Sequence, residues 1–212
     1  MTKAVRALAL DELRKRKSSK WRHYPNDVLP LPVAEMDFPM APAVKAGLQD
    51  MLDRSDTGYL GEFPELFEAF AKFSKSRWNW QPDTSQIRMA TDVGVGIVEV
   101  MRTLIKAGDK VMLNSPVYEN IWKWITEVHA ELVDVPLSED GLNYKLDLEA
   151  IEREYAKGVK LHILCSPHNP VGIIYTRSEL ETIATLAKKY GVIILSDEIH
   201  GPLTFNKKEF FP

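Results

Sequence analysis

Two short apolar runs, Leu161 to Leu164 and Val192 to Leu195, are interrupted only by His162. Continuous rather than alternating apolar character marks strands covered on both faces, as in a parallel sheet. Between the runs the period becomes helical. Thr176 and Glu179 form a T-x-x-E capping pair, and Leu180, Ile183, Ala184 and Ala187 then recur at helical spacing as far as Tyr190. Gly191 suits the left-handed stop of such a helix. Strand, helix and strand predict a right-handed parallel crossover whose strands finish at one sheet edge. Asn169 and Asp197, just beyond the two strands, should therefore share one crevice, where open parallel sheets bind ligands.

The remaining chain extends this pattern. Residues 1 to 20 predict a short helix with Leu8 and Leu13 on one side, and the basic run Arg14 to Lys17 at its end complements the helix dipole. Pro25, Pro30, Pro32 and Pro39 forbid a helix and impose an extended arm. Pro42 opens a helix with Val44, Leu48, Met51 and Leu52 as its apolar positions, and Pro64 opens a second with Leu66, Phe67, Phe70 and Phe73 facing a core. Gln86 to Ala90 reads as a strand. A helix through Ile97, Met101, Leu104 and Ile105 should follow, ending at Gly108. Strands are expected at Lys110 to Leu113 and Glu131 to Val135, with a helix carrying Trp122 and Trp124 against the sheet between them. Asp140 and Gly141 make a turn, and Leu146 to Tyr155 another helix. Strands alternating with helices give an α/β fold, a mostly parallel sheet flanked by helices. The expected division is an N-terminal helix and arm over residues 1 to 40 and a large domain over 41 to 212.

Composition narrows the function without naming it. At 212 residues, 45% hydrophobic and 27% charged, the chain is ordinary globular material with room for a core. A net charge of -3 gives no global field toward nucleic acid or membrane, so a small molecule is the expected partner. No apolar run approaches the roughly 20 residues that span a bilayer, and the N-terminus lacks a signal-peptide pattern, which makes the cytoplasm the default location. The single cysteine, Cys165, cannot form an internal disulfide and lies in an apolar tail where a core role fits better than a nucleophile. The five histidines are scattered without metal-ligand spacing, so no metal site is expected.

Taken singly, the candidate site residues have plain readings. A carboxylate after a strand serves as a turn or cap residue, and Pro167, Asn169, Pro170 and Gly172 are all turn formers. TDVGVG at the start of a helix could bind phosphate through free backbone N–H groups, with Asp92 as the helix cap. As a dinucleotide fingerprint it fails, because Glu99 stands where a third glycine belongs.

Together, SPHNPVG, the ending SDEIH and the earlier VLPLPVAEMDF (Val28 to Phe38) resemble the fold-type-I pyridoxal-phosphate (PLP) enzymes, the aminotransferase class I and II superfamily. There S-P-x-N-P-x-G precedes a strand ending in S-D-E. SDEIH, with His200, is similar to the cystathionine beta-lyase type of carbon–sulfur lyase. The resemblance implies a PLP-dependent transferase-like large domain. It also implies that Asp197 faces the pyridine nitrogen, Asn169 the ring hydroxyl, and Tyr118 the ring face, while Val93 and Gly94 line the phosphate loop. His200 would support Asp197 or the ring. Tyr59, in a G-Y pair, would reach the phosphate of a neighbouring subunit, which implies a homodimer with shared sites; otherwise it is an ordinary half-buried tyrosine.

AEMDF, with Glu35 in place of the family's usual Asp, and with Asp37, would cross the active-site mouth near the substrate carboxylate. Its alternative is an apolar anchor in which Met36 and Phe38 pack and Asp37 caps. The implied reaction removes a thiol from cystathionine or a cysteine-like amino acid, releasing pyruvate and ammonia. An aminotransferase is the alternative within the class. The family's Schiff-base lysine, in an S-x-x-K segment downstream of S-D-E, and its small domain have no counterpart here, and Lys207 and Lys208 follow His200 too soon to match. The sequence accordingly reads as a truncated or split enzyme, with a non-catalytic PLP-binding remnant as a further alternative.

Overall fold

A computed structural model describes residues 5–141, 143–205 and 209–212. Contacts divide the chain into two compact units, Met1–Glu62 and Phe63–Pro212. The helix begun by Pro42 and the loop of Tyr59 thus group with the N-terminal arm.

In the first unit, α1 (Leu10–Leu13), α2 (Ser19–Arg22) and α3 (Pro42–Asp53) are joined by irregular backbone. Pro42 occupies the start of α3, where its missing N–H costs nothing. The basic run does more than complement a dipole. Arg16 donates to the carbonyls of Met36 (2.8 Å) and Phe38 (3.2 Å), strapping the arm to the segment between α1 and α2.

The second unit holds the sheet. Strands β1 (Lys110–Leu113), β2 (Glu131–Asp134), β5 (Val159–Cys165) and β6 (Ile193–Asp197) lie in the order β2-β1-β5-β6, all parallel. A small antiparallel hairpin of β3 (Ser138–Asp140) and β4 (Asn143–Lys145) stands apart. Helices α4 (Pro64–Trp78), α5 (Val93–Leu104), α6 (Glu119–Glu127), α7 (Leu148–Ala156) and α8 (Arg177–Tyr190) complete the unit. Alternation along the strands divides the core. Val111, Leu113, Leu161 and Ile163 pack with Ile97, Met101, Ile121 and Ile125 of α5 and α6. Met112 and Leu164 pack instead with Ile151, Tyr155, Ile183 and Ala187 of α7 and α8. Helices on both faces explain why β5 reads from Leu161 to Leu164 as an apolar run broken only by His162, whereas β6, at the sheet edge, leaves Ile193 exposed. Full burial of a side chain such as Leu161 contributes about 1.5–3 kcal/mol.

The predicted crossover is present, with β5 and β6 joined through α8. Thr176 and Glu179 complete a reciprocal capping box, and Gly191 ends the helix at φ 70°. Trp122 and Trp124 pack against the sheet-side core as expected.

Two expectations fail. Residues 87–90 join no ladder among the described residues; a one-turn 3-10 helix, Thr84–Gln86, precedes them instead, capped by Asp83. An apolar pattern supplies side chains for a strand, but the strand itself needs a neighbour's N–H and C=O groups. The aromatic face of α4 is not core in this chain either. Leu66, Phe70 and Phe73 are 50%, 38% and 39% exposed, and the buried positions are Ala71 and Ser74. The bulky rings meet edge-on neighbours, Phe70 with Trp80 and Phe73 with Trp78.

Candidate functional site

The carboxyl ends of β5, β6 and β1 bring four segments together. Asp197 closes β6 in register with Cys165 of β5 and is only 6% exposed. Its carbonyl accepts from the Ser166 N–H (2.9 Å), and among the described residues its carboxylate takes one long bond, from the Ile199 N–H (3.3 Å). Asn169 sits in the loop after β5, where its N–H points at Cys165 Sγ (3.3 Å) and its carbonyl accepts the Tyr118 N–H (3.0 Å). That last bond ties the loop after β1 to the loop after β5.

Tyr118 precedes α6 and leaves its ring half-exposed, edge-on to Trp124 with centroids 5.9 Å apart. The Trp124 indole in turn lies on Gly94 so closely that a Cβ there would stand 2.8 Å from Cζ2. Gly94 belongs to the first turn of α5, where the Asp92 side chain caps the Val95 N–H (2.9 Å). Among the described residues, the N–H groups of Val93 and Gly94 have no acceptor. Unbroken contacts therefore run from Gly94 through Trp124, Tyr118, Asn169 and Cys165 to Asp197.

Burial controls the charge states around this edge. It pushes the Cys165 thiol up to about 11, helped by the nearby Asp197 charge, so Cys165 is a core thiol and not a thiolate nucleophile. Glu198 is also raised, chiefly by burial and further by Asp197, against a lowering bond from Ser196. His168 is lowered, by burial first.

The other sequence candidates are placed differently. His200, expected to support Asp197 or the ring, is half-buried, and its ring makes no hydrogen bond among the described residues. Glu35, Asp37 and Tyr59 belong to the first unit. Asp37 accepts from Lys20 Nζ with both oxygens at 3.0 Å, and Glu35 accepts from Ser18 Oγ at 2.8 Å. Met36 and Phe38 are exposed, so the apolar-anchor reading of this segment fails and an ion pair replaces it. Tyr59 is fully exposed, which excludes the half-buried alternative within this chain. Lys207 and Lys208 lie outside the described residues.

Sequence reasoning missed Asn114, His162 and His168, three buried polar residues of which Asn114 bonds to both histidines. The available signal was His162 as a lone polar residue inside an apolar strand.

Residues 26–212 match the family aminotransferase class I and II. The chain is 39% identical to the "Putative cystathionine beta-lyase" of Mycobacterium tuberculosis over 97% of its own length and 52% of that protein. It is 30% identical to the cystathionine beta-lyase of Corynebacterium glutamicum over 92% of its length and 52% of the relative. The structure of cystalysin from Treponema denticola, which contains a pyridoxal 5'-phosphate cofactor, superposes with a TM-score of 0.88 at 31% identity, covering 94% of this chain and 53% of that one. The chain spans about half the length of the curated relatives it matches. The chain belongs to the aminotransferase class I and II family, as a fold-type-I pyridoxal-phosphate superfamily member related to the cystathionine beta-lyases.

Proposed function

We propose that this chain forms the pyridoxal-phosphate-cradling part of a carbon–sulfur beta-lyase acting on cystathionine or a similar sulfur amino acid. The observation that carries the reading is the contact series from Gly94 to Asp197, which gathers an anion cradle, an aromatic face, an amide and a buried carboxylate along one sheet edge.

The residues fit the group. Among the described residues Asp197 is buried with one long hydrogen bond and no cation, as a carboxylate would be if its partner were a protonated ring nitrogen. Free N–H groups at the positive end of α5 suit a phosphate, and the absence of a Cβ at Gly94 lets the indole wall close behind it. When bound, pyridoxal phosphate supplies an electron sink for a carbanion at the amino-acid α-carbon.

The chain's own residues then divide the work. Val93 and Gly94 N–H groups hold the phosphate, and Tyr118, braced edge-on by Trp124, covers the ring face. Asn169 donates to the ring hydroxyl oxygen. Asp197 keeps a proton on the ring nitrogen, because a neighbouring anion favours the cationic form. Tyr59, fully exposed, serves the phosphate of a second subunit in a homodimer.

The test is a pyridoxal-phosphate titration of the purified chain, followed by tryptophan fluorescence. Saturable quenching is expected, and Asp197→Ala should weaken binding about tenfold or more, on the scale of losing a charge-assisted contact. Absence of binding, or binding indifferent to Asp197, overturns the reading. Product analysis with cystathionine separates the two enzyme classes: pyruvate and ammonia for the lyase, a transferred amino group for the aminotransferase.

A further inference from the structure

Asn114 is 3% exposed and follows β1 directly. Its side-chain nitrogen donates to the Val135 carbonyl (2.9 Å), just past β2, so its Oδ1 faces His162 Nε2 (2.7 Å) as an acceptor. His162 must therefore carry its proton on Nε2. That leaves Nδ1 free to accept the Tyr155 hydroxyl of α7 at 2.7 Å. The backbone carbonyl of Asn114 accepts from His168 Nε2 (3.2 Å), since a carbonyl has no hydrogen to give. One residue thus bonds, directly or through His162, to β2, β5, α7 and the loop after β5.

The two loops at issue begin on either side of this hub. Tyr118 lies one short loop beyond Asn114, Asn169 follows His168, and the Tyr118 N–H donates to the Asn169 carbonyl. An apolar residue could fill the same space, and replacing a buried polar group by a well-packed apolar one is often neutral for stability. What apolar packing does not supply is a unique arrangement, which a satisfied buried chain such as Asn114–His162–Tyr155 does, although His168 Nδ1 beside it has no partner among the described residues.

We propose that Asn114 is a positioning residue, fixing the loop that carries Tyr118 against the loop that carries Asn169 and so setting the spacing of two walls of the pocket. The clause about the pocket rests on the pyridoxal-phosphate reading above; the coupling of the loops does not.

The test is amide hydrogen exchange by NMR on the whole 212-residue chain. Asn114→Ala strands the His162 Nε2–H and the Val135 carbonyl, and the Tyr118 N–H is expected to exchange about tenfold faster, beyond any change at Ile163 in β5. Tyr118 unmoved, or moving only in step with Ile163, overturns the proposal, because that is the behaviour of a residue that merely stabilises the fold. Should Asn114→Ala fail to fold, His168→Phe removes the bond to the Asn114 carbonyl alone and is read the same way, with His168→Gln expected to restore slow exchange. In a parallel titration, Asn114→Ala should bind pyridoxal phosphate about tenfold more weakly than the wild-type chain. A wild-type chain that binds none overturns the pocket reading, while the exchange result still decides the loop coupling.

Discussion

Replacing a glycine within a helix by alanine ordinarily stabilises by up to about 1 kcal/mol. At Gly94 the sign should reverse, because the added Cβ would stand 2.8 Å from the Trp124 indole, a rigid ring bound into the α6 packing. Gly94→Ala is expected to destabilise by about 1–3 kcal/mol, the scale of overpacking. In a Trp124→Ala background the same change should cost nothing, and chemical denaturation of the four proteins in the cycle checks it.

His162 makes a second prediction at this scale. Burial lowers it to about 3 from an ordinary 6.5, so below pH 6.5 the unfolded chain takes up a proton that the folded chain refuses until near pH 3. The unfolded state binds more protons across that window, and stability should fall on acidification by about 2 kcal/mol between pH 7 and pH 5, with His168 adding in the same direction. Urea midpoints that stay flat from pH 7 to pH 5 would contradict this. Asp197, Asn169 and Tyr118 were legible from their motif spelling and their places after apolar runs. The partners of His162 were not, because periodicity reports burial but does not say which polar groups a fold brings face to face.

Among the elements, α8 was readable to within a residue at both ends, since each end carries a local chemical signal: the Thr176 and Glu179 capping box at one, Gly191 in the left-handed region at the other. The segment 87–90 was misread, and the ion pair that holds the arm was missed, for the opposite reason, their state depending on groups elsewhere along the chain. The arm is held by Lys20, itself 6% exposed, whose ammonium bonds both carboxylate oxygens of Asp37 and the Glu35 carbonyl (3.1 Å). Removing one member of a buried pair costs about 3–5 kcal/mol. Because Asp37 is partly solvated, about 1–3 kcal/mol is the better expectation here. Lys20→Met should therefore release residues 24–40 to limited proteolysis at protease levels that leave the wild-type arm intact. Asp37→Asn, which keeps an acceptor, should do so more weakly. Equal cleavage of all three proteins would show that the ion pair does not hold the arm.

Taken over the whole chain, the apolar positions that periodicity assigned to a core divide into two sets. Most of those on β1, β5, α5, α6, α7 and α8 are buried, Leu104 of α5 and Ala184 of α8 excepted, whereas α3 has no buried residue, and Leu66, Phe70 and Phe73 of α4 and Ile193 on the edge strand β6 stay exposed. An amphipathic pattern encodes that a face wants cover without encoding what covers it, so the sequence could not distinguish the two sets. Exposed apolar faces and an unpaired strand edge favour association. The chain as it stands should bind an apolar fluorescent dye while retaining its native circular dichroism, and should self-associate as its concentration rises. β6 is the most exposed of these features chemically, because its outer N–H and C=O groups lack a ladder among the described residues while Ile193 lies 38% exposed beside them. Ile193→Lys places a charge on that edge, a device that blocks strand addition, and should lower the association measured by sedimentation without changing the melting temperature by more than a few degrees. If the wild-type chain stays monomeric and dye-free at high concentration, these faces satisfy one another in solution; if Ile193→Lys associates as strongly as wild type, the helical faces and not the strand edge drive it.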